Sequence, residues 1–257
     1  MRAALPPVVL AALAAFLLAG CGGSGSDSTA AKPSVVGPIG NGGKGVWLFR
    51  PAGDPKRIVI FFHGQGGPEE TTPTNHRPWI DHLVRKGAIV LYPRYETNYS
   101  RAVLGNAQAG VRKAMESLGP QSLPVLALGY SRGGALAVEY AAAAPGRHLP
   151  VPDAVESVNP VPFGEWTHVT NLRPLRRDTT LSMLVSQDDP QATQGLTMLL
   201  TRLRRVDFPP EHVQLHVARS HGSFTADHVA PMSALPAARA AYWAPTDALL
   251  ARLSRSS

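Results

Sequence analysis

The sequence contains one cysteine, Cys21, and only 7% aromatic residues, and these shortages restrict what kind of protein it can be. A single cysteine cannot form an internal disulfide, so no disulfide framework holds the fold. The nine histidines lack the paired helical spacing and the cysteine partners that metal-ligand sets show. We therefore predict no metal site and no cofactor, and no internal repeat is evident.

Basic residues outnumber acidic ones, 25 against 18, and the net charge is +7. The excess is spread over many isolated arginines, which favours contact with anionic surfaces in general. No basic run with interleaved aromatic residues is present, and that pattern is what a nucleic-acid-binding chain would show. We therefore expect no nucleic-acid partner.

Residues 1–20 have the organisation of a secretion signal. Arg2 supplies the positive end, residues 8–18 the apolar core, and Leu-Ala-Gly-Cys at 18–21 the processing site. This ending resembles the lipobox of bacterial lipoproteins, in which the cysteine is lipidated and becomes the first residue of the mature chain. The resemblance implies export to the bacterial cell envelope and a lipid anchor on Cys21. An ordinary signal peptide with an incidental cysteine is the alternative.

The sequence divides further into a tether and one domain. Residues 21–43 are small, polar and proline-bearing, which is typical of a flexible tether rather than of a packed core. The remaining range, 44–257, suits one α/β domain better than two.

Apolar runs of strand length alternate with helical patterns along this domain. The predicted strands are 45–49, 57–62, 88–92, 125–129, 154–158, 181–186 and 213–218. The predicted helices are 76–86, 101–118, 131–144, 192–205 and 237–253. Near-continuous apolar strands separated by helices indicate a mostly parallel sheet with helices on both faces. In such a sheet the reactive loops lie at the carboxyl ends of the strands.

One of these strand ends carries the pattern Gly-Tyr-Ser-Arg-Gly at 129–133, followed by an alanine-rich helical segment. A sharp turn from strand to helix forces Ser131 into a strained conformation with its hydroxyl exposed for attack. Side chains at Gly129 and Gly133 would collide with the neighbouring strand or helix. The following helix directs its positive end at the site, and the backbone N–H of Arg132 is suited to stabilise an oxyanion.

A glycine-rich loop, His-Gly-Gln-Gly-Gly at 63–67, follows the strand 57–62. Bare backbone can approach a ligand closely there, and we predict that this loop is the second half of an oxyanion hole, with Gln65 as donor. His63 is expected to brace the loop rather than to react. A glycine-rich turn without a catalytic part is the alternative.

Two later strand ends supply an acid and a base. Asp188 and Asp189 follow the strand 181–186, and either carboxylate could orient a histidine. His221 follows the strand 213–218 in a glycine-flanked loop, whereas His228 lies further on, before a helix start. We therefore favour His221 as the base and keep His228 as the alternative. The resulting chain order is serine, acid, histidine.

Through these motifs, the range from about 45 to 253 resembles the α/β-hydrolase family. GYSRGG resembles the nucleophile elbow, HGQGG the oxyanion loop and QDDP the acid turn. WIDHLVRKGAIVLYPRYE at 79–96 and SHGSFTADHVAP at 220–231 are similar to bacterial members described only as hydrolases.

The resemblance implies an α/β-hydrolase fold and acyl transfer to water, with Ser131 as nucleophile, His221 as base and an aspartate that orients the imidazole. The usual offset of the acid from its strand in this family favours Asp189 over Asp188. The membrane partner would be reached through the lipid on Cys21, and the reactant would be a small-molecule ester.

The insertion between the strands 154–158 and 181–186, residues 159–180, shows no helical hairpin. Such a short segment favours a minimal lid and an open site. Phe163 and Trp166 fit either a substrate pocket or the core. A small, water-soluble or surface-presented ester is the expected substrate, although thioesters, amides and polyesters need the same machinery. The alternative is a lipoprotein that uses the fold only as a binding surface.

Overall fold

The computed structural model describes residues 32–95, 102–161 and 171–253. The predicted signal peptide, residues 21–31 of the predicted tether, and Phe163 and Trp166 lie outside the described residues. Residues 162–170 of the predicted lid segment, 159–180, do so as well.

Eight strands form one sheet, and seven of them are the strands that the apolar runs predict. The strands are β1 (Ser34–Ile39), β2 (Val46–Arg50), β3 (Arg57–Phe62), β4 (Ala88–Pro93), β5 (Val125–Tyr130), β6 (Ala154–Val158), β7 (Thr180–Ser186) and β8 (Val213–Ala218). Their order across the sheet is β1-β2-β4-β3-β5-β6-β7-β8. The pairs β1/β2 and β2/β4 are antiparallel, and every other pair is parallel.

The strand β1 corrects the predicted tether. Its residues pair antiparallel with β2, Val35 opposite Phe49 and Val36 opposite Leu48, so the predicted tether 21–43 is wrong for residues 34–39. The strand lies at the sheet edge and leaves Val35 and Val36 about half exposed. Since an edge strand is held mainly by its backbone hydrogen bonds, it needs no long apolar run, and a composition rich in glycine and proline conceals it.

The residues that the structure describes form seven α-helices. They are α1 (Pro68–Thr71), α2 (Arg77–Arg85), α3 (Val103–Leu118), α4 (Arg132–Ala143), α5 (Pro190–Arg205), α6 (Pro236–Ala238) and α7 (Ala244–Leu253). A π-helical turn, Arg239–Trp243, joins α6 to α7. Short 3₁₀ turns lie at Gly42–Lys44, Pro145–Arg147, Pro210–His212 and Ala230–Met232. All five predicted helices are present, whereas the single turn α1 is too short to show a helical period. Within the described ranges, no helix combines the length and the apolar character needed to cross a bilayer.

The sheet is buried between two layers of helices, as the sequence predicts. On one face α3, α4 and α5 contribute buried residues such as Val111, Leu136 and Leu199. On the other face α2 and α7 contribute residues such as Trp79 and Leu249. Because both faces are covered, the central strands are buried along their whole length and read as continuous apolar runs.

The parallel register brings the carboxyl ends of five strands to one edge. The register pairs at these ends are Phe62 with Gly129, Tyr130 with Val158, Val158 with Leu184, and Ser186 with Ala218. The loops that follow β3, β5, β6, β7 and β8 therefore start side by side, although they are far apart in the sequence.

Two glycines of α3 test how closely this helix packs. A methyl group on Gly110 would lie 2.9 Å from the carbonyl oxygen of Gly45, whereas one on Gly105 would meet nothing within 4 Å. We expect Gly105→Ala to raise the free energy of unfolding by about 0.5–1 kcal/mol, because alanine favours the helix. Gly110→Ala should lower it by about 1–3 kcal/mol. Chemical denaturation measures both, and equal effects of the two changes would contradict this packing.

Candidate active site

Ser131 lies on the sharp turn between β5 and α4, as the motif predicts. Its backbone has φ 56° and ψ −124°, a left-handed conformation that residues with side chains rarely adopt. The backbone is held there by three hydrogen bonds: Ser131 N–H donates to the carbonyl oxygen of Val158 at 2.9 Å, and the Ser131 carbonyl oxygen accepts from Gly134 N–H at 2.9 Å and from Val161 N–H at 3.1 Å. The serine is thus a strained residue in a rigid turn.

The two motif glycines are required by close backbone contacts. A methyl group on Gly129 would overlap the carbonyl oxygen of Gly133, and one on Gly133 would overlap the carbonyl oxygen of Phe62. The prediction that only glycine fits these two positions is confirmed. The turn can therefore be sharp because the chain carries no side chain where strand, helix and neighbouring loop meet.

The structure joins Ser131 to His228 and Asp189 in one chain of hydrogen bonds. The Oγ of Ser131 lies 2.9 Å from Nε2 of His228, and Nδ1 of His228 lies 2.5 Å from Oδ2 of Asp189. Since a carboxylate only accepts, Nδ1 carries the proton and Nε2 is free to accept one from the serine hydroxyl. This is the arrangement in which an imidazole removes the proton of a nucleophilic serine.

Asp189 has a second structural role. It is the N-cap of α5, where its Oδ1 accepts from the backbone N–H of Ala192 at 3.0 Å. Its side chain is only 3% exposed, so the positive end of the helix and the imidazole share one buried carboxylate. Asp188 is instead exposed and accepts from the Ser220 hydroxyl. The geometry therefore selects Asp189, as predicted.

The prediction of His221 as the partner of Ser131 is wrong. His221 is exposed, and its backbone pairs with Phe224 in both directions, N–H to O at 3.0 and 2.9 Å. Gly222 has φ 56° in this tight turn. The turn keeps position 221 at the surface, and the chain reaches the serine only seven residues later, at His228.

The loop around His228 is held by groups from two other strand ends. The Tyr130 hydroxyl donates to the carbonyl oxygen of His228 at 2.9 Å, and the Asn159 amide donates to the same oxygen at 3.2 Å. Asn159 also accepts from Ser186 N–H at 2.7 Å, which fastens it to the end of β7. Sequence reasoning missed Asn159, although an asparagine directly after a buried strand is well suited to its left-handed φ of 44°.

The glycine-rich loop lies against the serine. A methyl group on Gly64 would be 3.3 Å from Cβ of Ser131 and 3.0 Å from the Tyr130 ring. The side chain of Arg132, the first residue of α4, donates to Oε1 of Gln65 at 3.2 Å. The two residues predicted as oxyanion donors are thus brought together beside the nucleophile.

His63 braces this loop, as expected. Its Nδ1 donates to the carbonyl oxygen of Gly64 at 2.6 Å, its ring stacks on Tyr95 at 4.2 Å, and the Tyr95 hydroxyl donates to its carbonyl oxygen. Burial lowers the pKa of His63 to about 4, so the ring is neutral at pH 7. A neutral, fully buried ring is a support for the loop rather than a base.

Among the residues that the structure describes, no three side chains of histidine, cysteine, aspartate or glutamate come together as a metal site would require. The hydrogen-bonded serine, histidine and aspartate are the chemically competent cluster at this edge of the sheet.

The strand order, the elbow and the three converging loops are those of one known architecture. The chain has the α/β-hydrolase fold. No protein-family model matches the sequence, and no curated protein matches it. Solved structures do match over most of its length.

Three esterases are examples of these structures. Carboxyl esterase 2 from the mycorrhizal fungus Tuber melanosporum is 19% identical with a TM-score of 0.59, covering 90% of this chain and 87% of its own. Esterase B from Lactobacillus rhamnosis with a tributyrin phosphonate inhibitor is 16% identical with a TM-score of 0.64, covering 88% and 87%. Esterase Est2 from Thermogutta terrifontis is 14% identical with a TM-score of 0.60, covering 88% and 94%. At these identities the likeness concerns the fold.

The two histidines of the last loop give a direct test of the site. We expect His228→Ala to slow the labelling of Ser131 by a fluorophosphonate by at least about a thousandfold, because the serine hydroxyl loses the imidazole that is placed to accept its proton. His221→Ala should leave the rate unchanged, since that ring lies at the surface. Mass spectrometry of the labelled peptide measures both rates. Slow labelling of the His221 variant with normal labelling of the His228 variant would contradict the geometry.

Proposed function

We propose that the protein is a serine hydrolase that cleaves carboxylic esters through an acyl-enzyme intermediate. The observation that carries the proposal is the hydrogen-bonded series from Ser131 Oγ to His228 Nε2, at 2.9 Å, and from His228 Nδ1 to Asp189, at 2.5 Å. His228 takes the place that the sequence assigned to His221.

In the first half of the reaction, Ser131 Oγ attacks the carbonyl carbon of the ester while His228 Nε2 takes the hydroxyl proton. The buried carboxylate of Asp189 stabilises the imidazolium that forms. The tetrahedral intermediate then collapses, and His228 gives the proton to the departing alcohol. Ser131 is left as an acyl ester.

The negative oxygen of that intermediate needs hydrogen-bond donors. We assign this role to the backbone N–H groups of Arg132 and Gln65, since Arg132 begins a helix of 12 residues whose positive end points at the serine. The contact between their side chains holds the two donors together.

In the second half, a water molecule attacks the carbonyl carbon of the acyl group, and the bond to Ser131 Oγ breaks. His228 removes the proton of the water and returns it to Ser131 Oγ when the acid leaves. The same imidazole therefore serves as base and acid in both halves, and it does so from one orientation because Asp189 holds its other nitrogen.

The structural neighbours support the choice of ester chemistry by analogy, because several of those with this fold are esterases. A purely binding role would leave the strained serine and its aligned imidazole without a purpose, which favours the enzyme over the binding module. Thioesters and amides would pass through the same steps and are candidate substrates of the same site.

We further propose a small, water-soluble or surface-presented ester as the substrate. The His228 side chain keeps 31% of its surface exposed, and an exposed base is typical of an open site rather than of a deep apolar pocket. An open site binds long acyl chains weakly because it removes little of their surface from water.

A panel of p-nitrophenyl esters tests the activity and the substrate class together. We expect turnover of the acetate and butyrate esters, with kcat/KM falling for the octanoate and palmitate. Ser131→Ala should abolish turnover and leave the melting temperature nearly unchanged, because it removes only one oxygen from a preformed turn. A folded wild-type protein that neither cleaves any ester nor reacts with a fluorophosphonate would refute the hydrolase and favour the binding module.

The cellular location of the protein is a separate proposal. We propose that the enzyme is exported to the bacterial cell envelope and held at the membrane by lipid on Cys21, on the strength of the Leu-Ala-Gly-Cys sequence at 18–21. Cys21→Ser should move the protein from the membrane fraction to the soluble fraction, as measured by immunoblot, with Ser131→Ala as a matched control that stays attached. Persistence of the Cys21 variant in the membrane fraction would contradict the anchor.

A further inference from the structure

One buried acid beside the site has no part in the reaction described above. We propose that Glu70 is a positioning residue: its carboxylate fixes the backbone of the oxyanion loop, residues 63–67, so that the N–H of Gln65 faces the reacting carbonyl. The inference rests on the proposed function, because it assigns a support to one of that function's oxyanion donors.

The Glu70 carboxylate accepts hydrogen bonds from three directions. Its Oε2 accepts from the backbone N–H of Gly64 at 3.2 Å and from Nε2 of His76 at 3.0 Å. Its Oε1 accepts from the Asn75 amide at 2.7 Å. One carboxylate thus ties the start of the loop to the segment that follows α1.

The backbone of Glu70 is anchored as well. The Tyr92 hydroxyl, at the end of β4, donates to the Glu70 carbonyl oxygen at 2.5 Å. The Glu70 side chain is 8% exposed and packs against Gly66. A methyl group on Gly66 would lie only 2.5 Å from Cγ of Glu70, so the absence of a side chain at position 66 allows this packing. Position 70 is therefore fixed to the sheet on one side and holds the loop on the other.

The loop needs such an anchor because three of its five residues are glycine. Glycine loses more conformational freedom on ordering than any other residue, so a free loop of this composition would sample many backbone conformations. An oxyanion donor contributes to catalysis only when it is already in place as the charge develops. The hydrogen bond to Gly64 acts one residue before the donor, Gln65, and Gly64 itself lies against Ser131.

The charge state of Glu70 agrees with this role. Burial by itself raises the pKa of its carboxyl, but the hydrogen bond and the electrostatic interaction with His76 outweigh burial and, with Asn75, lower the pKa to about 2. The side chain is therefore an ionised, acceptor-only group at any pH at which esterase activity is measured.

The three donors around Glu70 require a group that only accepts hydrogen bonds, so replacing one carboxylate oxygen by a donor tests the role of Glu70. In Glu70→Gln one of the two oxygens becomes an amide NH2, which would face either the donors of Gly64 and His76 or the donor of Asn75. Adding Asn75→Asp restores the hydrogen bond between positions 70 and 75 with donor and acceptor exchanged, because the new carboxylate at 75 accepts from the new amide at 70. The glutamine oxygen is then free to accept from Gly64 N–H.

We would measure kcat and KM for p-nitrophenyl acetate, per active site titrated with a fluorophosphonate. Glu70→Gln should lower kcat by roughly 10- to 100-fold and change KM by less than about threefold, as expected when a contact made only in the transition state is weakened. The double variant Glu70→Gln/Asn75→Asp should recover most of that loss. Glu69→Gln, on the exposed neighbour of Glu70, is the matched control and should behave as the wild type.

A merely structural role predicts something else: fewer titratable sites and a lower melting temperature, with kcat per site unchanged. That result, or a double variant as slow as the single one, would overturn the inference. An inactive wild-type protein refutes the proposed hydrolase itself, whereas an active wild type with an equally active Glu70→Gln variant refutes only the role of Glu70.

Discussion

The buried carboxylate of Asp189 is the contact on which the site depends. One of its oxygens caps α5 and the other holds Nδ1 of His228, so a group that caps a helix also orients the imidazole beside Ser131. A carboxylate that is 3% exposed is stable only if its oxygens are paired, and here a helix N-terminus and an imidazole pair them. Because one side chain serves both, loss of the Asp189 carboxylate would uncap a helix of 16 residues and release Nδ1 of His228 at the same time.

Around this contact the parallel sheet acts as the frame. Its register starts five loops side by side, and each supplies one part: the oxyanion loop after β3, the serine after β5, Asn159 after β6, Asp189 after β7 and His228 after β8. Tyr130 joins two of these parts, since a methyl group on Gly64 of the oxyanion loop would lie 3.0 Å from its ring, and its hydroxyl donates to the carbonyl oxygen of His228. The oxyanion loop and the histidine loop are thus braced through the same side chain that precedes the nucleophile.

The turn at Ser131 and the oxyanion loop are held in place by different means. Ser131 keeps its left-handed backbone because glycines 129 and 133 let the neighbouring chains approach it closely. The oxyanion loop has the opposite difficulty, since its glycines give it too much freedom, and a network of buried polar groups around Glu70 and His63 restrains it. In the proposed hydrolase, a rigid serine turn and a restrained donor loop are both conditions for preorganised stabilisation of charge.

The sequence by itself predicted seven of the eight described strands and the elbow at Ser131, because each depends on local features: apolar runs and glycine spacing. The choice of Asp189 over Asp188 came from the resemblance to the α/β-hydrolase family. The strand β1 and the single turn α1 were missed, since a short exposed strand that contains glycine and proline, and one turn of helix, leave little local pattern. Only the tertiary structure decided between His221 and His228, which share one loop. The turn at Gly222 holds the first at the surface, and Tyr130 and Asn159, from distant strand ends, fix the second beside the serine. Contacts between residues so far apart leave no periodic trace in the chain, which is also why the support Asn159 became visible only in three dimensions. The partners of the Glu70 carboxylate lie within six residues of it, but they form an irregular loop that has no helical or strand period to reveal them.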